Sequence, residues 1–397
     1  MNKNQCIELE QISVSGDSVV YDFSYPEELS NIFNYSKIEI EYSTDISDID
    51  ESLLSIPFIG NVVPMAWGYN IEVNVPSIDR RFANDITAVK DALDSLYSKA
   101  CFDSNQNLIH SDSVVDNHMP EGEFKSAQLF TGGLDSVSTY LRHRHESPAL
   151  ITIDASKGQR NDSEFAKTQS RIREFGEEEG LKCEFIRTNT YYLLNHSELE
   201  NAYEDAAYYT WWENFQLGLS YLSTCAPLAM SEGYNIIRIA STFTEEYNHP
   251  YGSHPAIDNN ICFGETQCLH DSFDLSRQQK WRITTDYFEH KDKTLFVQSC
   301  TEEGNCCNCL QCARNIVGIS VEGLDPDDYG YEVSGGWFDD CKLKFKSNEW
   351  RLNRIEHFFW KDIQNSIPEN LDKGNYKSGA VDFLEWLRAA DLNQYTE

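Results

Sequence analysis

The stretch Leu129-Phe130-Thr131-Gly132-Gly133-Leu134-Asp135-Ser136 decides the fold of this chain, because an apolar run ends there and a helical pattern begins. A strand that turns through two glycines into a helix aims several backbone N–H groups at one point. The positive end of the helix dipole lies behind those groups. The stretch therefore predicts an anion site, and phosphate is the anion that suits it best.

The side chains of this glycine turn fit a bound nucleotide. Gly132 and Gly133 can adopt positive φ and let a ligand approach the backbone. Thr131 and Ser136 offer hydroxyls, and Asp135 could hold a magnesium ion against the phosphates. No lysine follows the turn, so it is not the P-loop of ATP-hydrolysing motors. An ordinary Gly-Gly turn between a strand and a helix is the simpler interpretation.

The chain around and after this turn alternates between apolar runs and helical patterns. Strands are predicted over residues 127–130, 149–154, 183–188 and 235–241, with helices over 137–145, 163–179 and 201–232. Repeated β-α-β units imply a parallel sheet covered on both faces, with the ligand at the carboxyl ends of the strands. An aromatic stripe on the last helix, made of Tyr208, Trp211, Phe215 and Leu222, is interpreted as core rather than as a base-stacking surface.

The residues before the turn have a different pattern. Period-two alternation predicts strands over 19–25, 38–42 and 71–75, and helices are predicted over 57–69 and 82–97. The polar run 103–123, which contains Pro120 and Gly122, is the predicted linker. The predicted division is an N-terminal α+β domain of residues 1–122, a catalytic domain of 123–320 and a C-terminal helical extension of 321–397.

Composition narrows the classes of function. The net charge of −33 argues against a broad surface for nucleic acid or anionic lipid, because phosphate neutralisation needs an excess of Lys and Arg. No stretch is long and apolar enough to span a bilayer, and the first residues, Met1 to Gln5, lack the pattern of a signal peptide. We therefore expect a cytoplasmic protein with no membrane partner.

Five of the 12 cysteines fall between Cys300 and Cys312, too close together for a disulfide framework. Cys306, Cys309 and Cys312 repeat every third residue, and with Cys300 they could close a tetrahedral zinc site. Cys307 is extra and could replace Cys306 as a ligand. An iron–sulfur cluster and reduced, unliganded thiols are the alternatives.

Two further segments lie after predicted strands. The basic turn 156–160 includes Arg160 and Lys157, either of which could neutralise phosphate or hold a substrate carboxylate, although a solvated basic turn explains each as well. In the segment 249–258, Ser253, His254 and Asp258 are candidates for substrate recognition, and His254 could transfer protons near neutral pH. His249 and His254 could instead bind a metal, or the segment could be an ordinary loop.

The hexapeptide from Thr131 to Ser136 resembles the PP-loop motif Ser-Gly-Gly-x-Asp-Ser of the N-type ATP pyrophosphatases, with Thr131 in place of the first serine. The run Gly158-Gln159-Arg160 and the cysteine cluster are similar to those of one branch, the 7-cyano-7-deazaguanine synthases of queuosine biosynthesis. The resemblance covers roughly residues 125–320. It implies a Rossmann-like, adenine nucleotide alpha hydrolase-like α/β fold and a structural zinc ion.

The resemblance also implies a reaction. ATP with Mg²⁺ would bind at Thr131, Gly132, Gly133, Leu134, Asp135 and Ser136, and pyrophosphate would leave as a carboxylate is adenylated. Asp135, Ser136, Arg160 and Lys280 would be the catalytic residues, Lys280 because a lysine in a similar position faces ATP in that branch. Gln159 and Arg160 would bind the substrate, together with Ser253, His254 and Asp258. The acceptor would be a small-molecule carboxylate such as 7-carboxy-7-deazaguanine, and the nitrogen donor either ammonia or a protein amine.

Other functions remain open on the sequence. The chain is longer than a plain deazaguanine synthase, and similar proteins occur in antiviral defence systems, which favours a protein-conjugating component. A non-catalytic ATP sensor and a zinc module for nucleic acid, including a tRNA-thiolating enzyme, are the remaining candidates, and the acidic charge weighs against the last of these. A homodimer is one assembly that the sequence allows.

Overall fold

The computed structural model describes residues 6–97, 108–120, 122–159, 162–204, 209–289, 295–300, 304–371 and 374–397. These residues form a mixed α/β structure with a large, mostly parallel sheet, as the sequence predicts. The chain divides into two compact units. The first unit is Met1–Leu129, His145–Ser241 and His249–Asp271, and the second is Phe130–Arg144, Thr242–Asn248 and Ser272–Glu397.

The first unit contains the sheet. Its strands are β1 Cys6–Ser15, β2 Ser18–Ser24, β3 Lys37–Glu41, β4 Glu72–Asp79, β5 Ile109–Val115, β6 Ser126–Leu129, β7 Ala149–Asp154, β8 Cys183–Thr188, β9 Ile236–Ala240, β10 Cys262–Phe263 and β11 Thr266–Asp271. They pair in the order β10-β11-β9-β6-β7-β8-β3-β2-β1-β4-β5. Strands β11, β9, β6, β7 and β8 are parallel, and β3 joins this block to the N-terminal strands by antiparallel pairing. The predicted strands 149–154 and 183–188 coincide with β7 and β8.

Strands from residues 1–122 thus belong to the same sheet as strands from the predicted catalytic domain. The junction is short, because β3 pairs with β8 only through Ile40 with Thr188 and Glu41 with Arg187. The domain boundary at residue 122 stays a prediction. What the structure adds is that the N-terminal strands extend the parallel block rather than forming a sheet of their own.

Helices occur in both units and are the main regular structure of the second. They are α1 Glu51–Tyr69, α2 Arg80–Leu96, α3 Leu134–His143, α4 Asp162–Glu179, α5 His196–Ala202, α6 Leu217–Thr224, α7 Ala226–Glu232, α8 Pro255–Asp258, α9 Arg277–Phe288, α10 Leu310–Val321, α11 Trp337–Lys346, α12 Arg354–Ser366 and α13 Ala380–Ala389. None of the helices in the described residues is both long and apolar enough to cross a lipid bilayer.

The long helix predicted over 201–232 is wrong. The described residues there form the end of α5, a π-helical turn at Trp212–Gln216, then α6 and α7. Pro227 lies at the start of α7, and its ring and missing N–H prevent α6 from continuing. Of the predicted aromatic stripe, Trp211, Phe215 and Leu222 are core residues, at most 1% exposed, and Tyr208 lies outside the described residues.

Candidate functional site

The glycine turn leads into α3, and of its two glycines only Gly132 has a positive φ, 74°. A Cβ at Gly132 would meet no atom within 4 Å, so the backbone is open to a ligand on that side. Gly133 has an extended conformation and is the N-cap of α3, with no side-chain hydrogen bond to the helix. The first N–H groups of α3 therefore have no capping side chain and can bind an anion.

The two hydroxyls of the turn maintain its shape. The Oγ of Ser136 donates to the carbonyl of Gly133 at 3.0 Å and accepts the N–H of Thr131 at 3.4 Å. The N–H of Gly133 donates to the Oγ1 of Thr131, also at 3.4 Å. Leu134 is 2% exposed and anchors the first turn of α3 in the core. Thr131 replaces the first serine of the PP-loop motif, and its hydroxyl still accepts a hydrogen bond within the turn.

Asp135 lies in the first turn of α3 and is held by cations from α9. The Nζ of Lys280 donates to its Oδ1 at 2.8 Å, and a guanidinium nitrogen of Arg277 lies 3.8 Å from its Oδ2. Burial alone would raise the pKa of Asp135, but the charges of Lys280 and Arg277 lower it below its ordinary value. Asp135 is therefore ionised at neutral pH. The structure places Lys280 beside Asp135, and its predicted contact with ATP stays a prediction.

A third buried cation, Arg314 on α10, joins this group. Arg314 and Arg277 are each 9% exposed, and Lys280 is 1% exposed. Burial and the charge of Arg277 lower the pKa of Arg314 to about 10, although Glu356, whose carboxylate accepts from Arg314 at 2.9 Å, opposes that change. Among the described residues, the Nε atoms of Arg277 and Arg314 have no hydrogen-bond acceptor. Three cations face two carboxylates, so this basic cluster fits an anion.

Four cysteine thiols come together in the second unit. The Sγ atoms of Cys300, Cys306, Cys309 and Cys312 all lie within 4.8 Å of one another, close to the separation of about 3.8 Å that tetrahedral zinc–thiolate bonds require. Backbone N–H groups donate to three of these sulfurs at 3.4–3.5 Å. The Sγ of Cys307 instead donates to the carbonyl of Asn305. The four cysteines could hold a zinc ion, with Cys306 rather than Cys307 as the ligand.

Gln298 connects the cysteine cluster with the glycine turn. Its N–H donates to the carbonyl of Gly132 at 3.0 Å, and its backbone forms a β-bridge with Gly133. Its side-chain amide donates to the carbonyls of Cys300 and Gly304. Gln298 therefore holds both the backbone of Gly132 and the carbonyls of Cys300 and Gly304 at the start of the cysteine cluster.

The candidates Ser253, His254 and Asp258 lie in the first unit and are buried, at 8%, 7% and 0% exposed. The Oδ2 of Asp258 accepts from the Oγ of Ser253 and is also 2.7 Å from the Nδ1 of His270, a residue that the sequence analysis did not identify. Burial and the neighbouring His270 lower the pKa of His254 to about 4. These residues form a buried polar network in which the Oδ1 of Asp258 has no hydrogen-bond partner among the described residues. Their role in substrate recognition stays a prediction.

Gln159 lines a cavity of about 620 Å³ in the first unit, beside Tyr35, whose hydroxyl accepts from its amide at 2.9 Å. Lys157 also lines this cavity, but its ammonium pairs with Glu39 and Glu41 at 2.9 Å each. Its charge is already compensated and is poorly suited to phosphate. Arg160 lies outside the described residues.

No family model matches the chain, and a search of curated proteins found none with a similar sequence. The resemblance to the PP-loop family therefore stays a prediction. Sequence reasoning did not assign roles to Arg277, Arg314, Gln298 and Glu356. Arg277 had a usable signal, because it lies three residues before Lys280 on the same helical face.

Proposed function

We propose that this chain is a PP-loop ATP-dependent ligase that adenylates a carboxylate and transfers the acyl group to a nitrogen donor. The observation that supports the proposal most is the contact of Asp135, in the uncapped first turn of α3, with the buried Lys280 at 2.8 Å. A glycine turn, a helix N-terminus and three buried cations form the environment that a triphosphate needs. An ordinary Gly-Gly turn would not require these cations.

The phosphates would lie against the N–H groups at the start of α3, with Lys280, Arg277 and Arg314 compensating their charge. A carboxylate oxygen of the substrate attacks the α-phosphorus, the bond to the bridging oxygen breaks, and pyrophosphate leaves. The amine nitrogen then attacks the acyl carbon, loses a proton, and displaces AMP. The residues of the turn position the reactants and stabilise the charge that develops. With ammonia as the donor, a second adenylation at the amide oxygen would release another pyrophosphate, and loss of AMP and a proton would then give a nitrile.

A magnesium ion would neutralise phosphate charge in this site, and Asp135 is the carboxylate that could hold it. A zinc ion would take no part in the chemical reaction. Its four cysteines precede and begin α10, the helix that carries Arg314, so a bound ion would cross-link that helix to the segment of Gln298. The predicted Rossmann-like details and the deazaguanine substrate belong to this proposal.

The test is to incubate zinc-loaded protein with Mg-ATP and 7-carboxy-7-deazaguanine, with and without ammonium, and to identify the nucleotide products by mass. We expect AMP and pyrophosphate that depend on the deazaguanine. Lys280→Met, which keeps the length of the side chain but removes its charge, is the matched control and should release neither product. ATP that stays intact, or that yields only ADP, with this and other carboxylates would contradict the proposal.

One observation favours a second candidate, an ATP-binding sensor without turnover. Both oxygens of Asp135 face cations, at 2.8 and 3.8 Å, and an ammonium at that position competes with a metal ion. Tight binding of ATP with no AMP formed in the presence of any tested carboxylate or protein amine would support the sensor.

A further inference from the structure

The C-terminal extension contributes one helix face to the basic cluster. Three residues of α12, Glu356, Phe359 and Asp362, lie at intervals of three and contact α9 and α10. These two helices carry the cations of the proposed phosphate site. The extension lies outside the part of the chain that resembles the PP-loop family, so the resemblance gives it no role.

Glu356 and Phe359 fix Arg314 from two directions. A carboxylate oxygen of Glu356 accepts from a terminal nitrogen of Arg314 at 2.9 Å, in a pair whose side chains are 10% and 16% exposed. The ring of Phe359 lies under the same guanidinium at 4.4 Å and is 5.7 Å from that of Arg277. A guanidinium held at its edge by a carboxylate and on its face by an aromatic ring has little freedom.

Asp362 acts on the other helix. Its Oδ2 accepts the N–H of Gln278 at 2.9 Å, in the first turn of α9. A carboxylate at a helix N-terminus stabilises that end of the helix, and here the same turn presents Arg277 and leads to Lys280. The extension therefore acts on all three cations through two helices.

We propose that α12 completes the phosphate site and that Glu356 is a positioning residue for Arg314. The like charges of Arg277 and Arg314 repel each other, and Glu356 offsets that repulsion at Arg314. The Nε of Arg314 is left without an acceptor among the described residues. Arg314 then presents a fixed donor to a phosphate. This inference rests on the proposed function and assigns the C-terminal extension to ATP binding.

The test exploits a difference in sign. If Glu356 were only a negative charge near the site, Glu356→Gln would strengthen binding of ATP and of pyrophosphate. If it positions Arg314, the same variant should weaken both by about tenfold, because the charge-assisted hydrogen bond is lost. Isothermal titration of the full-length, zinc-loaded chain with each ligand gives the two affinities, and thermal melting reports stability separately.

Glu322→Gln is the matched control. Glu322 lies just after α10, pairs with Arg282 of α9 and accepts from the side-chain amide of Gln278 at 2.7 Å, at 13% side-chain exposure. In the described residues it forms no ion pair with Arg277, Lys280 or Arg314. Glu322→Gln should have a lower melting temperature than the wild type but unchanged affinities for ATP and pyrophosphate. Phe359→Leu keeps an apolar side chain but removes the ring face, and it should weaken pyrophosphate binding about threefold even if Glu356→Gln does not fold.

The outcomes separate the two proposals. Wild-type protein that binds neither ATP nor pyrophosphate would overturn both the proposed function and the role of α12. If the wild type binds and Glu356→Gln binds equally well or more tightly, only the role of α12 is overturned. Where Glu356→Gln does not fold, unchanged binding by Phe359→Leu would have the same meaning.

Discussion

Asp135 and Asp258 were both predicted as site residues from the sequence, and the structure gives them opposite environments. The side chain of Asp135 is 26% exposed and is held by the cations Lys280 and Arg277. Asp258 is 0% exposed, and its partners are the hydroxyl of Ser253 and the ring of His270. The first carboxylate lies at an open helix N-terminus, whereas the second is enclosed by its own hydrogen bonds.

The two clusters differ in charge, and an excess of buried cations favours an anionic ligand. Around Asp135, two buried guanidinium groups keep an unused Nε donor, and cations exceed carboxylates. Around Asp258, the Oδ2 contacts two neighbours at 2.7 Å, whereas the Oδ1 has no hydrogen-bond partner among the described residues. We therefore propose that the first cluster carries the chemistry and that the second contributes to stability.

The largest expected effect concerns the cysteine cluster, which lies in the same unit as Asp135. Cys309→Ser should lose bound zinc, and with it much of the roughly 10–16 kcal/mol of apparent binding free energy that a structural zinc site supplies. The rate of amide hydrogen exchange, measured by mass spectrometry, should then increase in residues 295–321 and 130–144. It should not increase in residues 249–271, which contain the Asp258 network.

Cys307→Ser is the control for that experiment, because the Cys307 thiol bonds to Asn305 rather than joining the cluster. It should keep one zinc per chain by elemental mass spectrometry. Zinc loss in Cys307→Ser and retention in Cys306→Ser would reverse the ligand assignment. Faster exchange in 249–271 after zinc loss would remove the contrast between the two carboxylates.

Asparagine substitution at each carboxylate gives the next largest effects. Asp135→Asn removes the charge that orients Lys280 and should lower formation of AMP by roughly 10²–10³-fold, with zinc content unchanged. Asp258→Asn should retain the rate per folded molecule and lose about 1–3 kcal/mol of stability in chemical unfolding, because a buried charge-assisted hydrogen bond is weakened. The opposite pattern, activity lost at Asp258 and kept at Asp135, would place the chemistry in the first unit.

The local parts of the fold and of the site were predictable because their signals are local. The glycine turn has a two-glycine signature, β7 is a largely apolar run, β8 has apolar residues at its centre, and the cysteine spacing matches a tetrahedral site. The resemblance predicts that Lys280 contacts ATP, and this role stays a prediction, although its Nζ lies 2.8 Å from Asp135.

The rest depends on contacts that one sequence does not record. Glu356 reaches Arg314 from another helix, and nothing in either segment names its partner. The segment 249–258 is rich in polar residues and was predicted to be a binding loop. The N–H of Gly252 donates to the carbonyl of Glu213 at 2.6 Å, in a π-helical turn that the sequence did not predict. This contact holds the segment against the turn, and its candidate side chains are buried.

The smallest effect concerns pH and His254. Its pKa falls from an ordinary 6.5 to about 4 in the folded protein, first because it is buried and then because His270 is near. The unfolded chain therefore binds a proton that the folded chain rejects, so stability is complete above pH 6.5 and decreases as pH falls toward 4. Allowing for partial solvation, we expect His254 to cost about 1–2 kcal/mol between pH 7 and pH 5.

His254→Asn isolates this effect, because asparagine does not titrate and can still accept the N–H of Ala256, as the Nδ1 of His254 does at 3.1 Å. Urea unfolding of both proteins at pH 7 and pH 5 gives the comparison, and acid effects on other groups cancel between them. The variant should lose less stability than the wild type at pH 5. Equal losses would mean that His254 is protonated in the folded state, and the network around Asp258 would then be open to solvent like that around Asp135.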